Sequence, residues 1–220
     1  MNTESSTTDP DRMQGEGDRE SLEKTIARPR SFIEKTIKNV TVKIAETLVN
    51  LSWITPNRIT VVSAAIGGPF AAWLIYSGYG SIAVAAILLS GLLDDLDGDL
   101  ARVRGVSSPE GAILDSVLDR YVDVFLISAL ILLDPTRHLI PGLLALLGTT
   151  MVPYIRARTE AEGKNSIATI GDRTTRFILL IVGLLSGQIL PLLIILAIIS
   201  NLAAFHRLFF ALKPEKSASV

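Results

Sequence analysis

The residues best suited to chemistry lie between Asp94 and Asp119. They read Asp94-x-x-Asp97-Gly98-x-x-Ala101-Arg102, then eight residues, then Gly111-x-x-x-Asp115-x-x-x-Asp119. On a helix turning about 100° per residue, Asp94, Asp97, Gly98 and Ala101 fall within about 100° of one another. Gly111, Asp115 and Asp119 follow at i, i+4 and i+8 and share a face as well. Two short helical faces therefore offer four carboxylates, with glycine and alanine leaving room beside them. Carboxylates gathered in one place repel unless a cation sits among them, and all-oxygen ligation suits Mg2+, Mn2+ or Ca2+. A solvated helix end requires no such pair of in-register acidic faces, so a metal site is the better reading. Two divalent cations held this way favour phosphoryl transfer: they clamp a pyrophosphate, stabilise the leaving oxygen and orient an attacking hydroxyl. A carboxylate left beside the nucleophile takes its proton as general base.

The elements that must position these residues are apolar. Residues 82–93 precede the first acidic face and 124–133 follow the second. Ionisable groups at membrane depth are costly, so they are paired, metal-bound or lining a polar cavity. The chain has 220 residues, 49% of them hydrophobic, and a mean hydropathy of +0.43, too apolar for an ordinary soluble domain. Its 21 basic and 22 acidic residues nearly balance, so net charge argues nothing about nucleic acid, and no nucleic-acid partner is expected. With no cysteine, disulfides and thiolate metal sites are excluded.

Residues 1–27 are polar, lack a hydrophobic run and read as a disordered cytoplasmic tail. Residues 28–54 read as an amphipathic juxtamembrane helix. Ile33, Ile37, Val40, Ile44, Leu48 and Leu51 form one stripe, and Arg28, Arg30, Lys35, Lys38 and Lys43 suit an anionic interface. Six hydrophobic segments follow within 55–215: 58–79, bent at Gly67-Gly68-Pro69, then 82–102, 110–133, 138–155, 174–185 and 189–212, with 216–220 a C-terminal tail. The second and third reach the roughly 20 residues needed to span a bilayer only by including their acidic turns. Basic residues crowd one side of this map (the N-terminal region, Arg102 and Arg104, 156–176, 207–216), whereas the opposite connections carry only Arg137. The positive-inside rule then predicts an all-α integral membrane protein of the cell membrane with six transmembrane helices, an N-terminal interfacial helix, and both termini and the acidic site cytoplasmic.

The motif, in its residues and its spacing, resembles the CDP-alcohol phosphotransferase family without departure, and Thr55-Pro56-Asn57-Arg58-Ile59-Thr60 resembles the segment opening that family's first span. The resemblance runs from about residue 31 to the C-terminus. It implies a membrane enzyme, often a homodimer, that displaces CMP from a CDP-linked lipid by an acceptor hydroxyl. By the same resemblance Asp94, Asp97, Asp115 and Asp119 hold two Mg2+ or Mn2+ ions, Asp119 is the general base, and Gly98, Ala101, Arg102 and Gly111 line the CDP pocket. Leu114-Asp115-Ser116-Val117-Leu118-Asp119-Arg120, Tyr154-Ile155-Arg156-Ala157-Arg158 and Gly171-Asp172-Arg173-Thr174-Thr175-Arg176 resemble the branch that uses inositol phosphate. Arginines suit a phosphorylated acceptor through charge-assisted bidentate contacts, with Arg156, Arg173 and Arg176 the expected phosphate ligands.

Glycerol phosphate or a soluble inositol phosphodiester are the competing acceptors. A divalent-cation transporter is the competing class, but transport gives no reason for Gly98, Ala101, Arg102 and Gly111 at fixed spacing. His138 and His206 read as interfacial and helix-end residues. Asp123 continues the Asp115–Asp119 stripe as a supporting group. Asp95 and Asp99 point off the shared face, toward nucleotide or water.

Overall fold

The structure, a computed structural model, describes the backbone of residues 32–167 and 173–213, and their side chains except at 32–36, 173 and 174. The predicted tails at 1–27 and 216–220 lie outside the described residues. The chain divides into two units at Val40 and Thr41. Of the first, the described part is the opening half of helix α1 (Phe32–Leu48).

The second unit carries the rest of α1 and six further helices: α2 (Pro56–Tyr76), α3 (Gly80–Val103), α4 (Pro109–Leu133), α5 (Pro135–Ala161), α6 (Arg173–Ser186) and α7 (Ile189–Ala211). All regular structure among the described residues is helical. α2, α5 and α7 are long and apolar enough to cross a membrane. α3 and α4 are comparably long, at 24 and 25 residues, but contain the aspartates. Large apolar side chains stand exposed along these helices, among them Trp73, Ile140, Leu202, Phe205 and Phe209. Water does not tolerate apolar surface on that scale, and lipid does. The protein is an all-helical membrane protein.

One device starts three of the helices. Thr55, Ser108 and Asp134 each precede a proline and accept a hydrogen bond from the backbone N–H three residues on, at Arg58 (3.4 Å), Gly111 (3.1 Å) and Arg137 (3.2 Å). The cap satisfies an orphan donor, and proline at the first position has no N–H to leave unsatisfied.

The bend expected at Gly67-Gly68-Pro69 is a single π turn over Ile66–Phe70, as suits an interior proline that lacks a donor and crowds the preceding turn. The same place brings α2 against α3. The Ser63 hydroxyl donates to the Ser90 carbonyl at 2.8 Å, and the Ser90 hydroxyl donates to the Ser63 carbonyl at 2.9 Å. A Cβ on Gly67 would lie 2.2 Å from Ser90 Oγ, so glycine permits the approach. Small residues that let backbones meet are what bind helices where lipid removes any hydrophobic drive. α5 and α7 meet in the same way, Gly148 lying against Ser200 and Asn201. The core between the helices is aliphatic, with Ile87, Leu126, Ile127, Leu130, Leu193 and Leu196 fully buried.

α1 ends at Leu48, short of residue 54, and the chain from Val49 to Thr55 is a loop. Thr41 and Ala45 are buried, while Ile44 and Leu51 of the predicted apolar stripe are exposed. Leu48 of the same stripe instead packs against the cluster of Ala45, Ile59, Leu96 and Leu100.

Candidate metal and nucleotide site

The acidic motif folds into one site because α3 and α4 are joined by a short loop and both pack against α2. α3 presents Asp94 and Asp97 one turn apart, and α4 presents Asp115 opposite them. One carboxylate oxygen from each of Asp94, Asp97 and Asp115 lies within 4.8 Å of the other two. Asp97 is buried, and its Oδ2 has no hydrogen-bond partner among the described residues. A buried carboxylate oxygen facing two further carboxylates is unfavourable until a cation neutralises it. The residues present therefore fit a divalent ion with oxygen ligands.

Asp119 sits one turn beyond Asp115 and is not part of the three-carboxylate group. It borders a cavity of about 10 Å3 shared with Asp94, Asp115, Thr60 and Ser63. Arg120 Nη2 reaches Asp119 Oδ2 at 3.4 Å.

On the open side of the cluster lies a cleft of about 520 Å3. Its walls bring together all the predicted nucleotide-pocket residues, Gly98, Ala101, Arg102 and Gly111, with Asp97 and Asp115 at the floor. α2 supplies the third wall through its cap Thr55 and through Asn57 and Thr60. A Cβ on Gly111 would lie 3.4 Å from Asn57 Oδ1, so the glycine lets α4 approach the start of α2. Arg104, Ser107 and Ser108 complete the rim.

Arg104 was legible only as a topology-setting charge. In the fold its guanidinium donates to four carbonyls, that of the last residue of α1, Leu48 (2.6 Å), and those of Val49 (3.2 Å), Leu51 (3.0 Å) and Ile54 (2.5 Å) beyond it. It thus caps the carboxyl end of α1 and fixes the loop leading to Thr55. No local signal announces such a role, because the acceptors are backbone atoms some fifty residues away.

Asp99 corrects an expectation. Rather than facing nucleotide or water, it is 2% exposed, accepts from the Thr41 hydroxyl at 2.7 Å, and pairs with Arg102 Nη2 at 2.7 Å.

Of the arginines expected at the acceptor phosphate, Arg156 and Arg176 are not among the described residues lining the cleft. Arg156 is exposed and pairs along its own helix with Glu160 at 2.8 Å. Arg176 is buried, pairing with Asp123 at 2.8 Å and reaching the Thr149 carbonyl at 3.4 Å. Arg173 opens α6, its side chain outside the described residues. His138 is buried, its Nδ1 2.9 Å from the Leu130 carbonyl, and His206 is exposed.

A family model described as CDP-alcohol phosphatidyltransferase matches residues 53–210. The chain belongs to that family. The bifunctional IPC transferase and DIPP synthase of Aquifex aeolicus is 35% identical over 197 residues, covering 84% of this chain and 45% of that protein. The chain thus spans less than half the length of this bifunctional relative. The archaetidylinositol phosphate synthase of Pyrococcus horikoshii is 31% identical over 184 residues, covering 83% of this chain and 96% of that protein. Among solved structures, the phosphatidylinositol phosphate synthase of Mycobacterium tuberculosis with CDP-DAG bound shares the fold (TM-score 0.74, 24% identity, 83% of this chain and 98% of that one). The same enzyme in complex with manganese and citrate matches at TM-score 0.73 and 25% identity, over 82% of this chain and 92% of that one.

Proposed function

We propose that this protein transfers the phospholipid-phosphate group of a CDP-linked lipid to a hydroxyl of inositol phosphate, releasing CMP, as a step of phospholipid biosynthesis. The observation that carries this reading is the cleft itself, which Gly98, Ala101, Arg102 and Gly111 line together with Asp97 and Asp115. The acceptor is supported by the synthase of Pyrococcus horikoshii, named for an inositol phosphate product, which the chain matches over almost the whole length of that protein.

In this reading, Asp94, Asp97, Asp115 and Asp119 hold two divalent cations, Mg2+ or Mn2+. Bound there, the cations would neutralise the diphosphate and its departing oxygen. The small residues at 98, 101 and 111 admit the nucleotide, and Arg102 donates to its diphosphate. Asp119, at the inner end of the cluster, takes the proton of the acceptor hydroxyl as the new P–O bond forms and the bond to CMP breaks. Arg156, Arg173 and Arg176 bind the acceptor's phosphate, and Arg176 is tied to the motif helix through Asp123, one turn beyond Asp119. The six helices from Pro56 to Ala211 all span, with the cleft and both termini cytoplasmic, α1 lies in the interface, and the enzyme works as a homodimer. A lipid diphosphate then enters sideways while a polar acceptor arrives from water.

The test is CMP release by purified protein with Mg2+ or Mn2+ and CDP-diacylglycerol, comparing inositol phosphate, glycerol phosphate, free inositol and serine. Release with inositol phosphate alone is expected. Release only with an unphosphorylated acceptor would remove the arginines from the site, and release only with glycerol phosphate would change the acceptor. Cation flux into liposomes without CMP release would replace the enzyme by a transporter.

A further inference from the structure

We infer that Asp99 is a positioning residue for the cleft arginine, held in turn by Thr41 of α1, so that Thr41, Asp99 and Arg102 form one hydrogen-bonded relay from the juxtamembrane helix to the CDP-lipid diphosphate. The inference rests on reading the cleft as the CDP-lipid site.

Asp99 lies in the motif stretch but outside the three-carboxylate group. Its carboxylate is 2% exposed, while the Arg102 side chain it binds is 62% exposed. An exposed arginine samples many rotamers and loses that freedom when it binds an anion. A buried, immobile carboxylate oxygen 2.7 Å from Nη2 removes much of that freedom in advance. The other oxygen of Asp99 accepts from Thr41 Oγ1 at 2.7 Å, across 58 residues of sequence, which keeps the carboxylate from rotating. Thr41 is itself 2% exposed, so the anchor has no competing water.

A second observation bears on the same guanidinium. A Cβ built on Gly98 would lie 3.3 Å from Arg102 Nη2, 3.8 Å from Cζ and 3.9 Å from Nη1. The guanidinium therefore lies across Gly98, with a glycine floor beneath and an aspartate at one edge. Arg102 lines the cleft, and of its five N–H groups those not given to Asp99 are available to a diphosphate there. Preorganisation of this kind strengthens binding without adding a contact to the ligand.

The experiment is a double-mutant cycle on the full-length protein in detergent, reading the Kd for CDP-diacylglycerol directly and the kcat and KM of CMP release beside it. Asp99→Asn should raise Kd about tenfold, the worth of one charge-assisted hydrogen bond. It should raise KM for the CDP-lipid in parallel and leave kcat within about twofold. In an Arg102→Ala background the same substitution should change Kd less than about twofold, because there is no guanidinium left to place. Thr41→Val should weaken binding about threefold, with Thr41→Ser restoring it.

Equal loss from Asp99→Asn in both backgrounds would overturn the inference and leave Asp99 as a packing residue. If Asp99→Asn does not fold, the Thr41→Val and Thr41→Ser pair decides by the same criterion. Wild-type protein that fails to bind CDP-diacylglycerol would instead remove the reading of the cleft, and this inference with it.

Discussion

Arg176 of α6 and Asp123 of α4 form a buried ion pair, 2.8 Å apart, with side chains only 9% and 12% exposed. Asp123 is one turn beyond Asp119, so this pair ties the second half of the bundle to the acidic face of α4. Leaving one buried partner without the other costs about 3 kcal/mol. Asp123→Asn and Arg176→Ala should therefore both lower the melting temperature in detergent by several degrees. Only Arg176→Ala should also raise the acceptor KM, by about tenfold. Equal KM values in the two variants would make Arg176 a structural residue.

The Asp94, Asp97 and Asp115 oxygens, all within 4.8 Å, repel without a cation. Asp97→Asn in EDTA should melt at or above the wild type. Adding Mn2+ at about a hundred times its Kd should stabilise the wild type by about 2.7 kcal/mol. The variant should gain far less. Matching Mn2+ responses in thermal unfolding would remove Asp97 from the site.

Asp119 stands at the inner edge of the cluster, outside the three-carboxylate group. Asp119→Asn should cut turnover by about a hundredfold or more. The Kd for CDP-diacylglycerol should move only a few-fold. A parallel collapse of metal-dependent lipid binding would reassign Asp119 from base to ligand.

Two glycines separate folding from binding. A methyl on Gly67 would meet Ser90 Oγ at 2.2 Å and force α2 from α3, so Gly67→Ala should destabilise by about 1–3 kcal/mol. On Gly98 the nearest atom is Arg102 Nη2 at 3.3 Å, the far end of a flexible side chain. Gly98→Ala should leave thermal unfolding nearly unchanged and weaken CDP-diacylglycerol binding several-fold, as measured by titration.

Reading along the chain was enough to identify the four aspartates, the small residues beside them and the family they mark. Helical periodicity is a local property, so spacing alone states which side chains share a face. Gly67-Gly68-Pro69 likewise announces the break in α2. Helix α5 is longer than the apolar run 138–155, ending at Ala161, because charged residues extend a helix past its apolar stretch as readily as they end one.

Which partner each charge takes was beyond that reading. Asp99 looked like a solvent-facing neighbour of the site and is a buried acceptor for Thr41 and Arg102. Arg104 looked like one more cytoplasmic charge and grips four carbonyls. Asp123 was placed on the right stripe, but its arginine lay 53 residues away. Periodicity determines the direction in which a side chain leaves its own helix. What it meets there depends on how the helices cross, and that is set by the close approaches at Gly67, Gly111 and Gly148, contacts between residues far apart in sequence. The sequence by itself determined which carboxylates share a face and the family they mark, and the tertiary structure alone decided what holds that face in place.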